Sequence, residues 1–372
     1  MNCQETSQLS NVEYLLNFSN KAYQERIPLS GSIDITSRCN LKCIHCYYSS
    51  QTKNKQKELS TERWLSIIDE ITDAGCLFLL ISGGEPLLRN DFSTIYKHAK
   101  MNGILLTVFT NGTLITEETG NLFSEFPPQT VEISIYGATS ETSDRITGTK
   151  GSLKKCLRGI EILLGCNIPV KIKTILMTEN SHEFEAIKNI ARDFRVPFRF
   201  DAAIFPRFNG DKTPLKLRVS PEFAISKEFS EQSMFKKYRD YLEQTRNFPV
   251  VDSLYICSAG HTNFHIDPSG NLKPCLMTDN LSYNINNASF KTGWHEHISK
   301  ILEKKAPEGY ECNTCEKRSL CGFCPAFFLL ENGSEYIRSE YLCTMGRERY
   351  RLITNNNGGY NEITRKTTKT AL

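Results

Sequence analysis

The chain has 372 residues, too many for one ordinary domain, and its 39% hydrophobic and 23% charged content is that of a soluble globular protein with ample core material. A net charge of +3 over that length gives no electrostatic case for nucleic acid. The longest apolar stretch, Cys76 to Ile81, is far too short to span a bilayer, and Met1 to Thr6 lacks a basic region followed by an apolar run, so no membrane span or secretory signal is read.

In chain order, residues 1–29 read as a polar start and one amphipathic helix, with Val12, Leu15, Leu16, Phe18 and Tyr23 on its apolar side and Pro28 and Gly31 ending it. Short runs rich in Ile, Val and Phe follow at 31–36, 77–82, 104–109, 131–136, 168–176 and 198–204. Helical patterns lie between them near 60–74, 91–102, 116–125, 151–165 and 182–194. Ser60 with Arg63, and Asn90-Asp91 before Phe92, mark helix starts. Six such strand–helix units over 30–205 call for an α/β fold with a parallel sheet, whose binding site sits at the carboxyl ends of the strands. The alternation stops near residue 206. A polar connector, Pro206 to Pro221, leads into a charged helical segment over 221–246, the two forming a region 206–250. A loop-rich region 251–350 holds seven of the fourteen cysteines, and 351–372 reads as a mobile tail with little apolar content.

Fourteen cysteines without an export signal argue for metal or redox chemistry in a reducing compartment, so the expected location is cytoplasmic. Cys39, Cys43 and Cys46 fall within eight residues, directly after the first strand. A structural zinc site closes with four ligands, and an iron–sulfur cube presents four irons to four thiolates, so three thiols leave one metal position open. Ser82-Gly83-Gly84-Glu85-Pro86 follows the second strand and Thr110-Asn111-Gly112 the third. Taken alone each is a plain turn, although paired glycines also let a backbone approach a ligand closely.

The Cys-x3-Cys-x2-Cys spacing after one strand and Gly-Gly-Glu-Pro after the next together resemble the radical S-adenosylmethionine (SAM) superfamily, over about residues 30–205. The resemblance implies a partial (β/α)6 TIM-like barrel in which Cys39, Cys43 and Cys46 hold a 4Fe–4S cluster. Its open iron binds SAM, and an electron cleaves the sulfonium to a 5′-deoxyadenosyl radical that abstracts a substrate hydrogen. It also implies that Gly83, Gly84 and Glu85 contact the methionine amino group and that Asn111 faces the cofactor. Ser134 corresponds to a ribose or carboxylate contact, and Arg145 to an arginine that pairs with the SAM carboxylate. His45 takes the place of an aromatic packing surface.

Further on, Cys257 is followed by Gly270 and Cys275, then by Cys312-x2-Cys315-x5-Cys321-x2-Cys324 and Cys343. Two Cys-x2-Cys pairs alone suggest a zinc ribbon, but seven is an awkward count for one four-thiolate site. Order and spacing resemble the SPASM extension of radical SAM enzymes, a small loop-rich domain with two auxiliary iron–sulfur clusters. The one departure is the two-residue gap between Cys321 and Cys324, commonly three in that family. The resemblance implies one cluster on Cys312, Cys315, Cys321 and Cys343 and another on Cys257, Cys275 and Cys324. The fourth position of the latter is open to substrate, filled by a side chain such as His261 or His265, or absent because the cluster is smaller.

Enzymes bearing that extension act mainly on peptides and proteins, which implies a peptide or protein substrate and a flavodoxin- or ferredoxin-type electron donor. Precursor-peptide maturation leads over sulfatase maturation, because Cys275 is followed by Leu276-Met277 where the latter family has an aspartate base, and Asp279 comes only later. About 30 residues before the first strand are too few for a winged-helix leader-binding domain, so leader recognition falls to a separate protein or the barrel surface. A non-catalytic zinc scaffold is the alternative of another class. Cys76, Cys156 and Cys166 read as buried free thiols and Lys53 to Lys57 as a solvated loop, while Cys3 belongs to neither motif.

Overall fold

The computed structural model describes residues 11–48, 57–246 and 251–355. Cys3, Lys53, Lys55 and the tail beyond Asn355 lie outside the described residues, as does the side chain of Val12. Helix α1 (Asn11–Gln24) precedes β1 (Ser30–Asp34), after which come α2 (Thr61–Asp73), β2 (Phe78–Ser82), α3 (Phe92–Met101) and β3 (Leu105–Thr110). The alternation continues with α4 (Glu117–Glu125), β4 (Thr130–Ser134), α5 (Ser140–Thr147), α6 (Ser152–Gly165), β5 (Val170–Ile175), α7 (Phe184–Asp193) and β6 (Phe198–Asp201). Helix α2 shows why these elements form: Trp64, Ile67, Ile68 and Ile71 recur at helical spacing and are buried, and the Ser60 hydroxyl accepts from Arg63 N at its start. At the next helix Asp91 stands in the capping position without capping. Its carboxylate goes instead to Arg89 and to the Thr61 hydroxyl, which hold its pKa down at about 2.

Strands β1 to β6 pair in parallel in sequence order, so the sheet and its outer helices follow the expected partial barrel. Beyond β1 the sheet continues. Strand β7 (Asn263–Ile266) joins β1 in parallel, and β8 (Asn271–Lys273) and β9 (Tyr283–Asn284) extend it antiparallel, giving the order β6-β5-β4-β3-β2-β1-β7-β8-β9. The region read as loop-rich thus supplies three strands, which are too short to carry a periodic signal. Along β5, Val170, Ile172 and Thr174 turn to the helices, while Lys171, Lys173 and Ile175 face the opposite, inner side. Strand β4 shows the same division, with Val131 and Ile133 in the core and Glu132 and Ser134 inside.

Four further expectations need correction. The charged segment is two helices, α8 (Pro221–Glu228) and α9 (Gln232–Arg246), interrupted at Phe229 to Glu231. Helix α5 had no apolar stripe to announce it, because its work is toward the cysteine loop and its neighbour α6 rather than a broad core. The final helix, Glu340–Thr354, takes residues 351–354 out of the expected tail. The expected apolar side of α1 is exposed, Leu15 at 60% and Leu16 at 58%, with Phe18 and Tyr23 also exposed. This helix is fastened by the buried Ala22, by Tyr23 stacking on His261 at 4.1 Å, and by Arg26 after it, which donates to the carbonyls of Gly260 and Trp294.

Candidate functional site

The first three cysteines lie past the end of β1, where the chain turns over the ends of β2 and β3. Gly84 N donates to Thr36 O at 2.8 Å and Glu85 N to Arg38 O at 2.9 Å, tying the cysteine loop to the turn after β2. A Cβ on Gly83 would stand 2.3 Å from Thr36 O and one on Gly84 2.2 Å from Arg38 O, and Gly83 has φ +132°. Only glycine allows that approach, so the glycine pair seats the cysteine loop itself. From the other side, Thr147 O and Ile146 O at the end of α5 accept from Lys42 N and Ile44 N.

Within the loop, burial raises the Cys43 pKa, and Cys46 and Cys39 beside it add to the rise. Donors already point at sulfur: Leu41 N lies 3.4 Å from Cys39 Sγ and Asn111 Nδ2 3.8 Å from it. Crowded, dehydrated thiols with N–H groups aimed at them suit ligation to iron, whose positive charge removes the penalty of making them thiolates.

The remaining expected contacts divide. Asn111 is at the site, bonded also to Asn40, and Ser134 lines a small pocket with Asn111, Thr113 and Tyr136. Glu85 is fully buried, and its carboxylate accepts from Thr110 Oγ1, Asn111 N and Leu87 N. It therefore sets the turn that presents Asn111; burial pushes its pKa up to about 7. The Arg145 fork is occupied by Glu179, through its carboxylate at 3.0 Å and its carbonyl at 2.9 Å. His45 meets the Tyr136 ring edge-on at 4.4 Å, and burial lowers its pKa to about 4.

Sequence reasoning missed Arg207. From the connector it donates to Cys46 O at 3.2 Å and Ile44 O at 3.1 Å, while Phe208 N donates to Tyr47 O. Its only local signal is the Asn209-Gly210-Asp211 turn, in which Asp211 pairs with it at 2.7 Å.

In the C-terminal region Cys312, Cys315, Cys321 and Cys343 line one cavity of about 280 Å³, together with Arg318, Arg338 and Arg347. Arg347 Nη1 lies 3.2 Å from Cys343 Sγ, and Nε and Nη2 of Arg318 are buried without a partner. Unpaired guanidinium nitrogens beside four thiols fit an anionic cluster. Cys324 stands apart from these four: burial raises it to about 12, with Cys275 and Cys257 near enough to add to the rise. Tyr23 is near Cys257 and holds His261 Nε2 at 3.1 Å, while His261 Nδ1 is buried without a partner. His265 has its Nδ1 2.9 Å from Ser32 Oγ, while its Nε2, 3.8 Å from Asp34, is buried without a hydrogen-bond partner. Cys76 and Cys156 are buried and Cys166 is half-buried, and every cysteine of the described residues is a free thiol.

Inside the sheet near β1 sits a buried polar group. Asp34 accepts from the Tyr48 hydroxyl, and burial pushes its pKa up to about 7. Burial, with Lys273 adding, lowers His265 to about 3.

Residues 33–191 match the family model described as the Radical SAM superfamily. The chain is 27% identical over 334 residues to an AdoMet-dependent heme synthase of Methanosarcina barkeri, covering 83% of this chain and 94% of that protein. It is also 27% identical over 315 residues to the mycofactocin maturase MftC of Mycobacterium tuberculosis, covering 80% and 78%. Among solved structures it is similar to Streptococcus suis SuiB bound to precursor peptide SuiA, with TM-score 0.66 and 16% identity over 92% of this chain and 83% of that one. At that identity the likeness is one of fold. Among the described residues no helix is long and apolar enough to cross a membrane.

Proposed function

We propose that the chain is a peptide- or protein-modifying radical SAM enzyme that matures a ribosomally made precursor by cross-linking, epimerisation or oxidation, a reading supported by the match of residues 33–191 to the Radical SAM superfamily. When bound, a 4Fe–4S cluster with SAM supplies one-electron cleavage of the sulfonium and a 5′-deoxyadenosyl radical that takes a substrate hydrogen. Cys39, Cys43 and Cys46 would hold that cluster. Leu41 N and Asn111 donate toward Cys39, and the glycine pair and Arg207 keep the loop in place. Ser134 and Asn111 line the neighbouring surface where the nucleoside would lie. Electrons would come from a flavodoxin- or ferredoxin-type donor, and a separate protein or the barrel surface would present the leader.

The observation that carries the peptide reading is the sorting of the C-terminal thiols into four around one chamber and three beside it, the pattern of an extension whose bearers act mainly on peptides and proteins. Two auxiliary clusters follow from it as part of the proposal. The sulfatase reading stays behind, since Asp279 pairs with Lys273 rather than standing next to Cys275.

Similarity to heme synthases over 83% of the chain favours a second reading, with an iron tetrapyrrole as substrate. The test is anaerobic turnover with SAM and a reductant, followed by mass spectrometry, offering in parallel a precursor peptide encoded beside the gene and iron coproporphyrin III. Peptide mass loss of two hydrogens, or deuterium uptake without mass loss, supports the first reading. Conversion of the tetrapyrrole with an unchanged peptide overturns it.

A further inference from the structure

The loop that carries the first three thiols reaches the surface at Lys42. Leu41 before it is buried and Cys43 after it half-buried, while Lys42 is exposed. Lys42 N donates to Thr147 O at the end of α5, and a Cβ on Gly148 would stand 3.1 Å from the Lys42 Cβ, so the turn from α5 to α6 runs against this residue. Lys150 lies exposed in that turn. The buried side of α6, with Leu153, Cys156, Ile160 and Leu163, belongs to the core of the sheet. Its exposed side opens with Lys154, Lys155 and Arg158, three cations before the first acid, Glu161. Leu153 shares a small pocket with Leu41 and Asn111, which sets this end of α6 beside the cysteine loop.

Among the described residues the side chains of Lys42, Lys150, Lys154, Lys155 and Arg158 make no hydrogen bond or ion pair. The neighbouring acids are engaged or distant. Asp144 accepts from Gly151 N and Ser152 N, and Glu179 pairs with Arg145. Glu141 is exposed at the opposite end of α5. The C-terminal chamber differs, because Lys317, Arg338 and Arg347 there pair with Glu316, Glu311 and Glu340. Exposed cations that no neighbour neutralises add their potentials and draw in an acidic surface, over a Debye length of about 8 Å at physiological ionic strength.

The face suits an electron carrier better than a substrate. Helix α6 covers the outer side of the sheet, whereas a substrate has to reach the inner side past the strand ends. A carrier needs no such entry, because at Lys42 it stands one residue from Cys43. We propose that Lys42, Lys150 and the first turns of α6 form the docking face for an acidic one-electron carrier protein. The proposal rests on the assignment of a cluster to Cys39, Cys43 and Cys46 and adds the place where its donor binds. One electron leaves the carrier and enters the bound cluster, and no bond is made or broken in that step.

The test is stopped-flow reduction of the anaerobically reconstituted enzyme with SAM, using flavodoxin hydroquinone as the acidic carrier and reduced methyl viologen as a small cationic donor. Flavin absorbance reads electron transfer, and chromatography of 5′-deoxyadenosine reads cleavage. Lys150→Glu, Lys154→Glu and Arg158→Glu combined should slow electron uptake from flavodoxin at least tenfold. The combined variant should also lose the fall in rate that the parent shows as salt rises from about 50 to about 500 mM. Cleavage driven by methyl viologen should not fall, and Lys154→Arg with Arg158→Lys should keep the parent rate. Equal rates with flavodoxin in parent and variant overturn the proposal. A variant slowed toward viologen as well also overturns it, because the charges then serve the cluster site itself. So does a variant that takes electrons at the parent rate but binds an acidic peptide more weakly, which makes the face a peptide surface. The cluster assignment is read separately: cleavage with viologen alone leaves it standing, and no cleavage with either donor sinks it together with the docking face.

Discussion

The two thiol regions of this molecule are built in opposite ways. The Cys39 loop is short and is held from four directions: by backbone of the glycine turn after β2 and of the end of α5, by the Asn111 and Thr113 side chains of the turn after β3, and by the Arg207 connector. Among the described residues the loop's own exposed Lys42 and Arg38 and the Arg207 guanidinium bring positive charge near it, and the thiols are served by the neutral N–H donors of Leu41 and Asn111. The Cys312 chamber is gathered from residues 31 positions apart, between short turns and the final helix, and three arginines line it. On the proposed assignment, four thiolates on a closed cluster would carry more negative charge than three with an open iron, so the closed site would need cations and the open one room. The contrast predicts which changes damage one region and spare the other.

Replacing Cys39, Cys43 and Cys46 together by alanine has the largest expected effect: loss of about four irons, with SAM cleavage abolished and the C-terminal iron retained. Iron analysis beside chromatography of 5′-deoxyadenosine checks it, and unchanged cleavage would refute the central assignment. Gly84→Ala comes next. Its Cβ meets the Arg38 carbonyl at 2.2 Å, so the cysteine loop must shift, and SAM cleavage should fall at least tenfold while the chamber keeps its iron. Arg318→Met sharpens the contrast from the other side. Removing the guanidinium, whose Nε and Nη2 are unpartnered, should lower the reduction potential of the proposed chamber cluster and speed its iron loss, with the SAM-site signal in electron paramagnetic resonance unmoved.

The smallest effect concerns Asp34, at the foot of the cysteine loop. Its pKa is raised from 3.8 to about 7 in the folded chain, so the stability it contributes is complete below pH 3.8 and is lost as pH rises through 7. Its neighbour His265, lowered from 6.5 to about 3, has the opposite slope: its contribution is present above pH 6.5 and is lost as pH falls toward 3. Asp34→Asn removes only the first slope. The melting temperature of the variant should therefore gain on the parent between pH 5 and 8, and a constant difference would show that the carboxylate is not held protonated.

Much of the architecture is visible in periodicity. Apolar runs such as Leu79 with Ile81, or Ile67, Ile68 and Ile71 in α2, bury one face each, and burial by face is what a single chain can declare about itself. Helix α5 and strands β7 to β9 escaped notice because they are short and are stabilised by what they join rather than by a stripe of their own. Apolar content misled once, in α1, where Leu15 and Leu16 recur at a helical face that no described residue covers.

The sequence by itself determined the chemistry: three thiols at that spacing after a strand, a glycine pair after the next, and seven more thiols downstream are local patterns needing no partner to be read. Only the tertiary structure decided which groups those patterns leave free. It turned Glu85 inward to hold Asn111, spent Arg145 on Glu179 and brought Arg207 across 161 positions to the cysteine loop. A hydrogen bond or ion pair depends on distances of a few ångströms between residues far apart in the chain, and those distances come into being only when the sheet closes its register.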